Sequence, residues 1–281
     1  MLNTPPNRVS TTIDWSTLAG LGLAFGGILG GLVLEGGRIR DVAQITAAAI
    51  VLGGTFGAVL ISKPFPAVLS ASRRLKEIVF PTQTPPFNDM IEHLIELARQ
   101  VRRHGIASLE GEAQKTVDPF LRKALGIAAD GVDSRELRRI MELEIEAEQR
   151  QFDTDAAVFE AGGGYAPTIG IIGAVLGLIQ VMKHLDHLEE VGRGIAVAFV
   201  ATVYGVALAN IFLLPISSKI QARGMKVAEM RELILAGVMA IAAGTNPRLI
   251  RLQLDAYRSR SRPEEKQDVQ EQHKGEVAQV L

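Results

Sequence analysis

The chain has 281 residues, 47% of them apolar, and its 30 basic and 31 acidic side chains leave a net charge of -1. That balance offers no electrostatic footprint for a nucleic-acid partner, and no interleaving of arginine with aromatics supplies one locally. The absence of cysteine rules out disulfides, thiolate metal sites and cysteine nucleophiles.

The N-terminal stretch 1–14 is polar and lacks the basic-then-apolar order of a cleaved signal, so the first apolar block is expected to stay attached. Four windows, 15–34, 42–62, 161–182 and 194–218, contain no Asp, Glu, Lys, Arg or His. Each is long enough to cross a hydrocarbon core, which takes about 20 helical residues. Charges bound every window: Asp14 and Glu35, Asp41 and Lys63, Glu160 and Lys183, Arg193 and Lys219. The short gaps within each pair of windows allow only tight hairpins. The pattern predicts an all-α integral membrane protein with four transmembrane helices in two hairpins, 15–62 and 161–218, plus a helical cytoplasmic domain.

Orientation follows from basic residues, which stay preferentially on the cytoplasmic side. Lys63, Arg73, Arg74 and Lys76 follow the second span, and Lys219, Arg223, Lys226 and Arg231 follow the fourth. Both termini and the loop 63–160 are therefore expected in the cytoplasm, as are C-terminal helices over 219–258. Glycines at four-residue spacing, Gly22/Gly26/Gly30, Gly27/Gly31, Gly53/Gly57 and Gly173/Gly177, favour close helix packing in lipid.

Within the large loop, Met90, Ile91, Leu94, Ile95, Ala98 and Val101 trace one helical face that ends at Gly105. A second helix is expected to start from a Ser134 cap and run through Leu137, Met141 and Ile145 toward Phe159, interrupted before the third span only at Gly162 to Gly164. A third amphipathic helix is expected over 227–243, stopped by Gly244 with Pro247 beyond. The charged stretch 259–281 reads as a disordered tail.

No phosphate loop, zinc-binding His-Glu pattern or Gly-x-Ser-x-Gly elbow occurs, so no catalytic residue, cofactor or enzyme activity is expected. His184 and His187 share a helical face, but two imidazoles at a span end read as a solvated turn before they read as a metal site. Near the centre of the spans the only ionisable side chain is Tyr204. Thr46, Thr55, Thr168, Gln180, Thr202 and Asn210 supply most of the remaining polarity. An ion-moving membrane protein normally carries a carboxylate or histidine in its spans. If this chain moves ions, another subunit must bring that group. Pro167 enters the third span and Pro215 leaves the fourth, and each marks a place where a helix can terminate or bend.

The run Tyr165-Ala-Pro-Thr-Ile-Gly-Ile-Ile-Gly-Ala-Val-Leu-Gly-Leu-Ile, followed by Ala198-Phe-Val-Ala-Thr-Val-Tyr-Gly, resembles the third and fourth spans of the MotA/PomA flagellar stator family. Further matches are Arg102-Arg103-His104-Gly105 to Ser108-Leu109-Glu110, Met141 to Glu146, and Gly237-Val-Met-Ala-Ile to Asn246-Pro-Arg. The resemblance implies a homo-oligomeric ring, a pentamer in the family, around a peptidoglycan-anchored MotB-like partner whose transmembrane aspartate binds the ion. It places the chain in the bacterial inner membrane, where ion flow turns the ring against a FliG-type protein of the rotor's switch complex.

By the same resemblance, Arg102, Arg103, Glu110 and Glu144 fall on rotor-facing positions, and Pro167 and Pro215 on the prolines that couple ion flow to conformation. Ala174, Ala201, Thr202 and Tyr204 fall along the ion path. Ala174 stands where sodium-driven members resemble one another in having threonine, and Ala201 also lacks a hydroxyl, so the transported ion is expected to be the proton. A related energy-transducing channel subunit of the ExbB/TolQ kind is the alternative, disfavoured by the extra N-terminal span.

Overall fold

The computed structural model describes residues 15–79 and 85–260. The N-terminal stretch 1–14 and most of the expected tail, 261–281, lie outside the described residues. In chain order the helices are α1 (Trp15–Leu34), α2 (Ile39–Val42), α3 (Ile45–Ser62), α4 (Phe65–Val79), α5 (Phe87–His104), α6 (Ser108–Lys115), α7 (Pro119–Ala129), α8 (Ser134–Lys183) and α9 (Leu188–Ala207). A π-helical stretch, Leu208–Leu213, then leads into α10 (Leu214–Ala242), and α11 is Pro247–Arg260. No strand occurs among the described residues, and four helical stretches are long and apolar enough to cross a membrane.

The described residues divide into two compact units, one of 15–79 with 150–224 and the other of 85–149 with 225–260. The first holds the apolar spans. Its backbone groups have no water to turn to in lipid, so helices that satisfy them internally are the required solution. In α3, Ala47, Val51, Thr55 and Val59 are buried at four-residue spacing, which keeps one stripe facing inward. By contrast α1 buries no residue. A Cβ added at Gly22, Gly26, Gly27, Gly30 or Gly31 would meet nothing within 4 Å, so the glycine spacing of the first span does no packing work within this chain.

The second unit is a set of helices around its own apolar core. Leu94, Ile95, Leu109, Phe120, Leu125, Leu137, Met141, Leu233, Ile234 and Ile250 are all essentially inaccessible. Burying each such side chain contributes about 1.5–3 kcal/mol. The α5 face predicted from its periodicity is the buried one, and the helix stops at Gly105, where φ of +82° suits a residue without a side chain. Helix α7 starts where Asp118 accepts a hydrogen bond from the Leu121 N–H at 2.9 Å, with Pro119 at its first position.

Three expectations are corrected. The cap of α8 is Asp133, whose carboxylate accepts from the Arg135 N–H at 3.1 Å, and Ser134 is already helical. The helix does not break at Gly162 to Gly164 but runs 50 residues without interruption. The reason is packing: a Cβ at Gly162 would lie 3.2 Å from Leu213 Cδ1, and one at Gly163 2.5 Å from Leu214 Cδ2. These glycines make room for leucines. Likewise the helix expected at 227–243 is no separate element, because α10 carries on from the fourth span to Ala242 before Gly244 (φ +68°) ends it.

Candidate functional site

The third and fourth spans, α8 and α9, meet along a seam of small residues. A Cβ at Gly170 would sit 2.9 Å from the Ala201 carbonyl oxygen, and one at Gly205 2.5 Å from that of Ala166. Toward the other end, a Cβ at Gly177 would sit 2.8 Å from the Gly194 carbonyl oxygen, and one at Gly194 3.0 Å from that of Gly177. Backbone therefore lies against backbone, the geometry that drives helix association in lipid without a hydrophobic effect. The Gly173/Gly177 spacing noted in the sequence belongs to this seam.

The expected path residues divide on either side of it. Ala201 is fully buried, and a Cβ on Gly173 would come within 2.7 Å of its methyl. It is a packing residue of the seam. Ala174 and Thr202 are half-buried beside it, and the Thr202 hydroxyl donates to the Ala198 carbonyl one turn back at 3.2 Å. Tyr204 is a clasp: its hydroxyl donates to the Val42 carbonyl at 2.6 Å and accepts from the Gln44 N–H at 3.3 Å. Gln44 precedes α3, so this one phenol ties the fourth span to the start of the second, adding to the bond of 3.2 Å that the Gln44 N–H already donates to the Val42 carbonyl. Thr168 and Asn210 also bond their own helix, to the Tyr165 and Val206 carbonyls. Thr55 alone differs, a buried hydroxyl with no hydrogen-bond partner among the described residues.

Both expected bending points stand in distinctive backbone. Pro167 lies inside α8, where it removes one helical hydrogen bond and crowds the preceding turn. Pro215 is the second residue of α10, immediately after the π-helical stretch, and such widened turns recur where helices carry function. Ser217, two residues further and buried, donates to the Ala156 carbonyl of α8 at 3.0 Å, tying the segment after Pro215 to the helix that contains Pro167.

Sequence reading missed a buried charge cluster in the same unit. Asp155 is completely inaccessible. Its Oδ2 accepts from Arg74 Nε at 2.9 Å and its Oδ1 from Gln151 Nε2 at 3.0 Å. The Arg74 guanidinium also lies 3.8 Å from the centre of the Phe152 ring. Arg223 of α10 donates to the Glu77 carbonyl oxygen of α4 at 2.6 Å. In the sequence Arg74 and Arg223 signal only orientation. The detectable clue was Asp155 itself, a carboxylate amid Phe152, Ala156 and Val158 on an otherwise apolar helix face.

In the second unit, Arg102 and Arg103 are exposed in the last turn of α5 and Glu110 is exposed in the first turn of α6. Each charge complements the dipole of its own helix end, and none has an ion-pair partner among the described residues. Glu144, by contrast, is paired with Lys123 at 2.6 Å. Elsewhere, Arg251 of α11 grips Glu92 of α5 through two hydrogen bonds of 2.5 and 2.7 Å. Those bonds hold the Glu92 carboxyl below the usual carboxylate range and raise Arg251. Glu112 is also lowered, chiefly by its bond from Lys115. Arg231 pairs with Glu148 while lying 4.6 Å over the Phe120 ring. Among the described residues no group of three metal-ligating side chains converges.

Residues 18–105 match the profile of the motility protein A N-terminal family, and residues 112–233 that of the MotA/TolQ/ExbB proton channel family. Motility protein A of Bacillus subtilis is 31% identical over 87% of this chain and 91% of its own length. Among solved structures, that of C. jejuni MotAB superposes with a TM-score of 0.83 at 31% identity, over 87% of this chain and 96% of the matched one. The flagellar MotAB stator complex from Bacillus subtilis gives 0.81 at 31% identity, over 86% and 95%.

Proposed function

Because the chain belongs to the motility protein A family and is a flagellar stator subunit, a multi-pass membrane protein and not an enzyme, we propose that it forms a proton channel with a MotB-like partner. The observation that carries this reading is the α8–α9 pair. Two spans are locked backbone to backbone at Gly170, Gly177, Gly194 and Gly205, yet no carboxylate or histidine lies in the apolar windows they form. Such a pair is a wall awaiting an ion-binding group from another chain.

The partner supplies that group, an aspartate in its own span, and this chain surrounds it as a homo-oligomeric ring of five. Each elementary charge crossing the membrane releases about 2.3 kcal/mol per 100 mV. Pro167 and Pro215, joined through Ser217 and Ala156, bend as the partner's carboxylate gains and loses its proton, and the ring steps. Arg102, Arg103 and Glu110 then act on a FliG-type rotor protein by charge complementarity, which sets docking rate and register more than affinity. Glu144, held by Lys123, orients that surface. The membrane is the bacterial inner membrane, with both termini on the cytoplasmic side.

Proton drive is supported by what flanks the seam. Sodium must exchange its water for several oxygen ligands, whereas the side chains of Ala174 and Ala201 offer none, and the single hydroxyl of Thr202 serves either ion. The test is swimming speed in a strain whose only stator is this chain with its partner. Speed should be unchanged on removal of sodium and should collapse when a protonophore dissipates the proton gradient. Loss of swimming in sodium-free medium refutes proton drive.

A further inference from the structure

At the end of the spans opposite Lys63 and Lys219, the start of α3, the end of α8 and the start of α9 enclose a cavity of about 590 Å³. That volume lies within the range of about 300–1,000 Å³ usual for ligand pockets. Ile50, Leu176, Ile179 and Val197 supply its apolar floor, and Lys183, His184, Glu190 and Arg193 its polar rim. The rim is unbalanced in charge. Glu190, its carboxylate, faces His184, with Oε2 3.4 Å from the imidazole Nε2, while the other ring nitrogen lies 3.0 Å from the Gln180 carbonyl oxygen. Lys183 and Arg193 have no ion-pair partner among the described residues. Two cations thus stand over an apolar slot at the place where a span meets the membrane surface.

We propose that this cavity binds one anionic phospholipid per subunit, its phosphate bridging Lys183 and Arg193 and an acyl chain lying over Ile50 and Val197. The chemistry on both sides is complementary. A guanidinium and an ammonium are the two side chains that take phosphate oxygens, the former by a two-pronged hydrogen bond. Long basic side chains at a span end also reach naturally to the headgroup level. A free inorganic anion uses the rim but leaves the apolar floor uncovered, and a zwitterionic lipid brings its own cation against Lys183 and Arg193. A metal ion has only His184 and Glu190 to hold it. The lipid head seated here would clamp the hairpin between α8 and α9 against the first turn of α3, the same region of α3 that Tyr204 ties down from within.

The test is native mass spectrometry of the full-length chain purified in complex with its partner and titrated with phosphatidylglycerol, phosphatidylcholine or inorganic phosphate. The wild-type complex should retain one phosphatidylglycerol per subunit in preference to phosphatidylcholine by about tenfold, the yield of a pair of charge-assisted contacts, and inorganic phosphate should not compete. Replacing both cations, Lys183→Gln with Arg193→Gln, should abolish that preference while the complex stays intact. Ile50→Trp, which fills the floor and leaves the cations, should weaken retention of both lipids. Lys226→Gln, which removes an exposed cation elsewhere, should change nothing. A double variant that keeps the preference overturns the proposal. So does competition by inorganic phosphate, which marks a soluble-anion site. Dissociation of subunits by the double variant without change in lipid retention overturns it too, because the slot then belongs to a contact between copies.

Discussion

Replacing Asp155 with alanine removes the only carboxylate among the described residues that is wholly inaccessible. The cost can be worked from its surroundings. Asp155 accepts from Arg74 at 2.9 Å and from Gln151 at 3.0 Å, and Gln151 in turn reaches the Ser70 hydroxyl at 3.1 Å. Taking one partner from a buried ion pair costs about 3–5 kcal/mol, because the other charge is left uncompensated. Here Arg74 retains Glu77 at 3.4 Å, the Phe152 ring and a side chain 21% exposed, so the lower end, ~3 kcal/mol, applies. For comparison, the Lys123–Glu144 pair is 50% and 34% exposed, and its loss should cost at most about 1 kcal/mol. The assay is chemical unfolding of the purified complex in detergent, comparing Asp155→Ala with Glu144→Ala. A double change to apolar residues, Arg74→Met with Asp155→Leu, should recover part of the loss, since it leaves no orphan charge. If Asp155→Ala is no more harmful than Glu144→Ala, the assignment of this cluster as a structural lock on α4 and α8 is wrong.

Tyr204→Phe keeps the ring and deletes two hydrogen bonds, while the Gln44 N–H and Val42 carbonyl keep their mutual bond of 3.2 Å, so the change should cost about 1–2 kcal/mol; loss of stability with the assembly intact is the expected readout, and an unchanged unfolding midpoint contradicts the clasp. Adding one methyl should act with opposite signs at two glycines. Gly205→Ala drives a Cβ to 2.5 Å from a backbone oxygen and should cost about 1–3 kcal/mol, whereas Gly126→Ala in α7 meets nothing within 4 Å and should gain about 0.5–1 kcal/mol in helix propensity. Acid should weaken the second unit through Glu92. Its carboxyl is held below the ordinary value of 4.5 by Arg251, so the contribution of that pair is complete above this pH and is lost as pH falls below it and through the lowered value. Denaturant midpoints taken from neutral pH into that acid range should therefore fall less steeply in Glu92→Gln than in the parent chain.

Apolar windows and periodicities made the broad fold legible in the sequence, because lipid leaves so few ways to satisfy a backbone. The first span ends at Leu34, as its charge-free window does, and the faces of α5 and α8 in the second unit bury the residues whose spacing predicted them. What escaped had no periodic signature. Helix α6 is eight residues long, too short for a pattern to repeat, and α4 follows the second span after only Lys63 and Pro64. The Gly162–Gly163–Gly164 run looked like a helix break because glycine lowers helix propensity, yet Leu213 and Leu214, some fifty residues away, require the space it leaves. At the candidate site, Pro167 and Pro215 were visible as residues, but their connection through Ser217 and Ala156 is tertiary. Ala201 illustrates the same limit from the other side: its lack of a hydroxyl is readable in one dimension, while its place inside the seam, against Gly170 and Gly173, is not. The buried partnership of Arg74 with Asp155 joins residues 81 apart, a distance at which charge patterning carries no information.

The central claim is that this subunit builds the wall of an ion path and its partner brings the ion-binding carboxylate. The direct measurement is proton flux into liposomes containing the purified chain with a MotB-like partner, under a membrane potential, with a pH-sensitive dye inside. Flux should need both proteins, persist without sodium and disappear when the partner's transmembrane aspartate is replaced by asparagine. Equal flux through this chain alone, or undiminished flux with the asparagine variant, would contradict it.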